Sequence, residues 1–470
     1  MTYALERMAE VMQAKIYGGR AGLQIGQIAT DTRTVRPGDL FACIRGKNVD
    51  GHDFARQAAD AGAAAVLADR QDTAEISGIV PVLLADDVVK ALGRLGRDMR
   101  AAFQGTLVAV TGTAGKTTLK ENLASILSRE APTAKSRLNL NTQIGIPVSM
   151  MDAAGDERFW VFEAGISKPD DMDDLGSLLQ PDFAVILNVG AAHTEGLGER
   201  GVAWHKARLL RYLRPGGPAL VCADYPDLVR EAAAIRPDLT LFSAKNADAP
   251  YTGRYAGADA DGKGMYELSL RGETITVRSR MVGSYGAESL IAAAAAAHML
   301  GAAPERIAAA LADAPDLKRR FVRTEIRDGE LAGWTLIDDS YNSNPLATER
   351  MLESAAEIAA GRPLYCVLGE MRELGQLADR EHAGLGRKLA AHAPRAVFWA
   401  GGHAEDVLMG LRSGGSNAAF VSADDPRDFI SGLRNLLPDG TRPGVIFFKA
   451  SLSVDLARHV KAFREAFHVL

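Results

Sequence analysis

The sequence predicts an α/β fold in which short apolar strands alternate with helices around largely parallel sheets. Three observations carry this expectation. Apolar runs of three to five residues recur between helical stretches, one of them feeds a Gly-Lys-Thr-Thr loop, and a charged, turn-rich stretch splits the alternation into two series. At 470 residues the chain is too long for one ordinary core and suits roughly two to four domains.

Taken in order, Met1 to Gln13 is amphipathic and carries Glu6 and Glu10, unlike a signal peptide. Ile28-Ala29-Thr30-Asp31-Thr32-Arg33 and Pro37-Gly38-Asp39-Leu40-Phe41-Ala42 read as strand, turn, strand. A helix from Asp53 to Ala61 stops at Gly62, a natural cap, before a short strand at Ala64 to Leu67. These make a small α/β domain ending near residue 86. A helix from about Asp87 to Phe103 then leads into a strand at Leu107 to Val110. Runs at Phe159 to Phe162, Phe183 to Leu187 and Ala219 to Val221 continue a mainly parallel sheet. The next boundary falls near Asp316 to Arg320. A second open α/β series follows, with strands at Trp334 to Ile337, Leu364 to Leu368, Ala396 to Trp399 and Val445 to Phe448.

Composition narrows the function. The chain is 47% hydrophobic and 24% charged, with a formal net charge of −5. That balance argues against broad attraction to nucleic acid or anionic membrane, though not against a local basic site for an anionic substrate. Cys43, Cys222 and Cys366 lie far apart without metal-ligand spacing and read as small buried hydrophobes in a reducing compartment. The longest apolar stretch, Leu290 to Leu300, is broken by His298 and falls short of the roughly 20 residues a membrane span needs. A cytoplasmic protein is expected.

The most specific segment is Thr111-Gly112-Thr113-Ala114-Gly115-Lys116-Thr117-Thr118, set between a strand and a helix beginning at about Lys116. Small residues there let successive backbone N–H groups face one anion, and the helix N-terminus adds partial positive charge. Lys116 would supply a full charge to the outer phosphates, and the Thr117 hydroxyl is placed to ligate Mg²⁺. The longer Walker spacing wants Gly at position 110, which is Val.

Downstream, Glu163 ends one strand and His193 follows another, both at carboxyl edges where α/β sheets place ligands. Glu163 alone reads equally as a solvated strand end; the pair beside a phosphate loop suits metal ions. Lys206, in Trp204-His205-Lys206-Ala207-Arg208, reads on spacing alone as part of a basic surface helix. In the last series, Asp338-Asp339-Ser340-Tyr341-Asn342-Ser343-Asn344-Pro345 passes from strand to polar turn to helix. Its paired aspartates could hold ribose hydroxyls or a basic group, or serve the turn alone.

In this order the segments resemble the Mur ligase family over nearly the whole chain. The matching pieces are Asp31-Thr32-Arg33, Pro37 to Phe41, Asp50-Gly51-His52-Asp53-Phe54, the phosphate loop, Asn139-Leu140-Asn141 with Gly145-Ile146-Pro147, and Ala192-His193. Asp338 to Pro345 and Leu368-Gly369-Glu370-Met371-Arg372-Glu373-Leu374-Gly375 complete the set. The resemblance is greatest to the members that add D-alanyl-D-alanine to UDP-N-acetylmuramoyl-tripeptide. The Asn-Pro-Arg motif of the diaminopimelate-adding members is not visible.

The resemblance implies a UDP-sugar domain over residues 1–86, an ATP-binding domain over 87–317, and a Rossmann-like domain over 318–470 that closes on the site. It implies ATP and Mg²⁺, small-molecule substrates only, and a monomer. By carry-over, Asp31, Thr32 and Arg33 would lie near the uridine diphosphate. Gly112, Thr113, Ala114, Gly115, Lys116, Thr117 and Thr118, with Asp338, Asp339, Asn342 and Asn344, would hold the nucleotide. Thr117, Glu163, His193 and a carbamylated Lys206 would serve the metals, and Lys116, His193 and Lys206 the chemistry. A folylpolyglutamate-synthetase-like ligase, a paralogue joining another acid and amine, and a non-ligating P-loop ATPase are the alternatives. Three places depart from the pattern. Gly283-Ser284-Tyr285-Gly286 stands where Gly-Arg-His-Asn is usual, Ala207-Arg208 follows Lys206 where Glu is common, and Lys449-Ala450-Ser451 replaces Lys-Gly-Ser.

Overall fold

The computed structural model describes residues 1–469 apart from 20, 47, 138, 192, 193, 199, 315, 316 and 438–441, and describes residue 194 by its backbone. His193, and Asp316 at the expected boundary, lie outside the described residues. Three sheets of five, nine and six strands follow one another along the chain, beside a two-stranded pairing near the N-terminus. Among the described residues no helix is long and apolar enough to cross a membrane.

The five-stranded sheet runs Lys15–Tyr17, Val82–Leu84, Ala65–Ala68, Leu40–Ala42 and Ile28–Ala29, parallel except at the first strand. Ile28 pairs with Leu40 in parallel, so the intervening segment is a crossover rather than a hairpin turn. Within it Asp31 caps a 3-10 turn, Thr32–Thr34, and Gly38 takes φ +97°, which a side chain would resist. The expected helix after Asp53 is split into a 3-10 turn, Gly51–Phe54, and an α-helix, Ala55–Asp60.

Val88–Ala102 joins this unit to the next. Asp87 caps it by accepting from the Lys90 amide, and Val88, Leu92, Leu95 and Met99 are buried on one face. Phe103 then stacks on Trp160 at 3.9 Å between centroids. One apolar core therefore runs from the first sheet to one face of the second.

In the nine-stranded sheet Thr106–Thr111 lies between Phe183–Ile186 and Phe159–Glu163, all parallel. The chain order reverses about Thr106–Thr111, and that reversal opens a crevice beyond its carboxyl end. Strands Tyr251–Ala258, Gly264–Leu270 and Glu273–Ser279 extend the sheet as an antiparallel meander that the sequence reading did not include. One face of it packs on the helix Tyr285–Met299, so its residues alternate between buried and exposed instead of forming continuous apolar runs. Every residue from Gly286 to Ala297 is buried, wedged between the meander and the helix Lys116–Leu127.

The six-stranded sheet runs Val322–Glu325, Thr335–Asp338, Val445–Lys449, Leu364–Gly369, Ala396–Ala400 and Ala419–Ser422, parallel after its first strand. Its crossover helices include Pro345–Ala359, begun by proline and capped by Asn344. The carboxyl ends of its strands Thr335–Asp338 and Val445–Lys449 share a cleft with the glycine-rich loop of the central sheet.

Candidate active site

The cleft encloses about 310 Å³. Its floor is the loop joining Thr106–Thr111 to Lys116–Leu127. Gly115 sits at φ +77°, and a Cβ on Gly112 would meet the Leu187 side chain at 3.0 Å, so both glycines are required by shape. The loop is held from below by Asn188, whose Oδ1 accepts from the Thr113 and Ala114 amides at 2.9 and 2.8 Å. The first amides of the helix have no carbonyl one turn back, so they remain for a ligand. Lys116 curls over the loop and donates to the Gly112 carbonyl at 2.9 Å. Burial lowers its pKa; Glu163 opposes that shift and the Arg320 cation adds to it. A cation held in a dry, positive place is ready for a polyanion.

Beside the loop, Thr117 donates to Glu163 Oε2 at 3.3 Å, and Arg320 donates to the Thr117 hydroxyl at 3.3 Å. Glu163 is 1% exposed, and its Oε1 accepts no hydrogen bond among the described residues, although Lys120 lies 3.4 Å away. A buried carboxylate oxygen without a donor, next to a hydroxyl and a phosphate loop, is the donor set a small hard cation prefers. The residues present therefore fit Mg²⁺.

Lys206 is not on the surface. It is 2% exposed on Gly201–Ala207, and burial, with the charge of Lys116 acting in the same direction, drives its pKa well down. Its basic neighbours concealed this in the sequence.

The far wall comes from the last sheet. Asp339 ion-pairs with Lys449, which also donates to the Asn342 carbonyl at 2.9 Å, and the Phe321 amide donates to Asp339 at 3.1 Å. Burial raises the Asp339 pKa even against Lys449. Asn344 accepts from the Ala347 amide at 2.9 Å and donates to the Thr113 carbonyl at 3.5 Å, tying this wall to the floor. Asp338, expected to share nucleotide binding, faces a different groove and accepts from Ser340 instead. Consecutive side chains at a strand end point to opposite faces, so only one of the two aspartates can line the cleft.

The structure thus brings Thr113 to Thr118, Glu163, Asp339, Asn342 and Asn344 into one cleft, with Asn141 also in its lining. It does not bring Asp31, Thr32 or Arg33 there. Asp31 pairs with Arg33, whose guanidinium holds the carboxylate down to about 2, and Arg33 is largely exposed. Asn188, Arg320 and Lys449 belong to the site but were missed as site residues. Asn188 at a strand end was the one readable signal.

At the end of the cleft lined by Tyr285, Gly286 leaves no room for the family's asparagine. A Cβ there would stand 2.3 Å from the Tyr266 hydroxyl, which donates to the Gly283 carbonyl at 2.9 Å. Tyr285 packs edge-on against Phe321, and Ser289 Oγ has no hydrogen-bond partner among the described residues. Gly369, the last residue of its strand, is required by crowding: a Cβ would lie 2.9 Å from the Ala400 carbonyl oxygen.

Comparison with known proteins agrees with this geometry. Residues 24–100 match the model of the Mur ligase family catalytic domain, residues 110–297 the Mur ligase middle domain, and residues 322–452 the glutamate ligase domain of Mur ligases. The UDP-N-acetylmuramoyl-tripeptide–D-alanyl-D-alanine ligase of Escherichia coli K12 is 29% identical, with 99% of each chain covered. Its counterpart in Synechocystis is 30% identical over 92% of this chain and 91% of that one. Among solved structures, MurF from Acinetobacter baumannii superposes with a TM-score of 0.84 at 26% identity over 99% of both chains. The MurF ligase from Thermotoga maritima, in complex with ADP, gives 0.77 at 27% identity, covering 93% of this chain and 97% of that one.

Proposed function

The chain belongs to the Mur ligase family, and from that premise we propose how its cleft works. It is an ATP-dependent, ADP-forming ligase that adds D-alanyl-D-alanine to UDP-N-acetylmuramoyl-tripeptide in peptidoglycan precursor synthesis. The single observation that carries the mechanism is the phosphate loop of one domain facing Asp339, Asn342 and Lys449 of another across one cleft.

The terminal carboxylate of the tripeptide attacks the γ-phosphorus of ATP, giving an acyl phosphate and releasing ADP. Loop amides and Lys116 hold the phosphoryl oxygens, so charge that builds there meets donors already in place. Binding the triphosphate also favours the charged form of Lys116, which burial alone opposes. The dipeptide amine then attacks the acyl carbon, the amide forms, and phosphate leaves. Water must be excluded while the acyl phosphate exists, and the C-terminal wall, tied to the loop by Asn344, serves that end. Mg²⁺, when bound by Thr117 and Glu163, neutralises phosphate charge.

Our reading gives His193 and a carbamylated Lys206 to the metals as well. The depressed pKa of Lys206 supplies the neutral amine that reaction with carbon dioxide needs. Asp31, Thr32 and Arg33 take the uridine diphosphate from the domain of residues 1–86, and residues 87–317 and 318–470 form the ATP-binding and closing domains. The enzyme works in the cytoplasm as a monomer. The test is to incubate protein, UDP-N-acetylmuramoyl-tripeptide, D-alanyl-D-alanine and ATP and weigh the product. An amide-linked pentapeptide, abolished by Lys116→Ala, is expected; ADP release without that product sinks the assignment.

A further inference from the structure

Arg350 stands on Pro345–Ala359 in the C-terminal domain, yet its guanidinium reaches the central domain. It grips Glu288 with two prongs, Nη1 to Oε1 at 2.9 Å and Nη2 to Oε2 at 2.7 Å. Tyr225 donates to the same Oε2 at 2.9 Å. Glu288 is 3% exposed, and its Oε1 also accepts from Asn188 Nδ2 at 2.6 Å. Asn188, fully buried, is the residue whose Oδ1 takes the Thr113 and Ala114 amides. Three side chains thus connect the C-terminal domain to the phosphate loop.

We propose that Arg350 is a positioning residue: by fixing Glu288 it selects the orientation of the Asn188 amide, and so makes the grip of the loop on nucleotide depend on the seating of the C-terminal domain. The inference rests on the reading of residues 112–118 as the ATP loop. A side-chain amide has one accepting and one donating end, whereas a carboxylate only accepts. Glu288 at 2.6 Å, together with the Ala114 carbonyl at 3.0 Å, therefore takes both Nδ2 protons and leaves Oδ1 for the two loop N–H groups. The flipped amide would aim its NH₂ at those N–H groups and push the loop away. A buried ion pair contributes little net stability compared with an apolar replacement, so its value here lies in orientation. The two-pronged geometry suits that role, because a single prong would let the carboxylate rotate.

The test replaces both charges at once, since Arg350→Met alone would strand a buried carboxylate. Glu288→Gln/Arg350→Met keeps the volume but loses the acceptor-only partner and the link between domains. Titration of ADP, with Mg²⁺ in excess, into the full-length protein should show affinity lower by roughly tenfold. KM for ATP should rise by a similar factor, while KM for the tripeptide and the dipeptide stays within about twofold and melting changes little. Arg350→Lys, retaining the charge but one prong, should recover part of the loss. Unchanged ADP affinity in the double variant overturns the proposal. So does an equal rise in all three KM values with a collapsed melting temperature, which would mean a purely structural role. If wild-type protein fails to bind ADP, the reading of the loop falls and takes the inference with it; normal binding that the double variant preserves removes the inference alone.

Discussion

The Thr117 hydroxyl donates to the Glu163 carboxylate at 3.3 Å, joining the first turn of the phosphate helix to the end of the neighbouring strand. That short bridge sets a hydroxyl and a buried carboxylate on the same side of the loop. Replacing the charge while keeping the shape, Glu163→Gln, removes the anion, while the Lys120 ammonium beside it keeps Glu121 as a countercharge at 3.0 Å. Turnover should fall by roughly 10²- to 10³-fold. ADP release at saturating substrates measures it, and a loss smaller than about threefold would remove Glu163 from the metal set.

Lys206 allows a sharper separation of fold from chemistry. As a buried amine with a strongly depressed pKa it contributes volume more than charge, so Lys206→Met should melt within a few degrees of wild type. Ligation should nevertheless drop by roughly 10²-fold or more if the side chain carries a carboxylate made from carbon dioxide. Carbon-13 NMR of wild type in labelled bicarbonate should show a carbamate signal that the variant lacks. Full activity in Lys206→Met sinks the idea.

How much of this was legible in the sequence depended on how local each interaction is. The phosphate loop was readable because its strand, glycines, lysine and helix start lie within a dozen residues. Glu163 was readable as a strand end, and the turn after Asp338 as a turn. Which aspartate faces the cleft was not, since either phase of the strand satisfies the same pattern. Asn188 was readable only by its place after a strand, its loop partner standing 75 residues away, and Glu288 and Arg350 were silent, because their partners stand 100 and 62 residues away. Lys206 misled outright, since basic neighbours look like a surface helix until the fold covers them. The meander was missed for a related reason: half its residues face solvent, and the apolar runs that mark the parallel strands are absent from it.

The pair of Asp339 with Lys449 predicts a pH signature. Burial raises the folded-state pKa of Asp339 above its unfolded value of 3.8. The native state then binds this proton more tightly than the unfolded chain, so the contribution is fully present below the unfolded pKa and is lost as pH rises through the folded pKa. Asp339→Asn cannot titrate. The melting temperature of wild type minus that of Asp339→Asn should therefore increase as pH is lowered from neutrality toward about 4. A difference that stays flat or shrinks would show that Lys449 holds the carboxylate fully ionised.

Gly286 departs from the family pattern at a position closed by packing. A side chain there must displace the Tyr266 hydroxyl, which is anchored on the Gly283 carbonyl, and the ring carbon bearing it would still be 2.8 Å away. Tyr266 is fully buried, so it has little space to retreat. Gly286→Ala should cost about 1–3 kcal/mol by overpacking, the gain in helix propensity notwithstanding. In a Tyr266→Phe background the closest atom is gone, and the same substitution should cost measurably less. The two changes should therefore couple in a double-mutant cycle read by urea unfolding. Additive effects would mean that the helix shifts instead, and the cleft end could then accept the asparagine usual in the family. Strong coupling would mean that this chain has committed the position to packing against Tyr266.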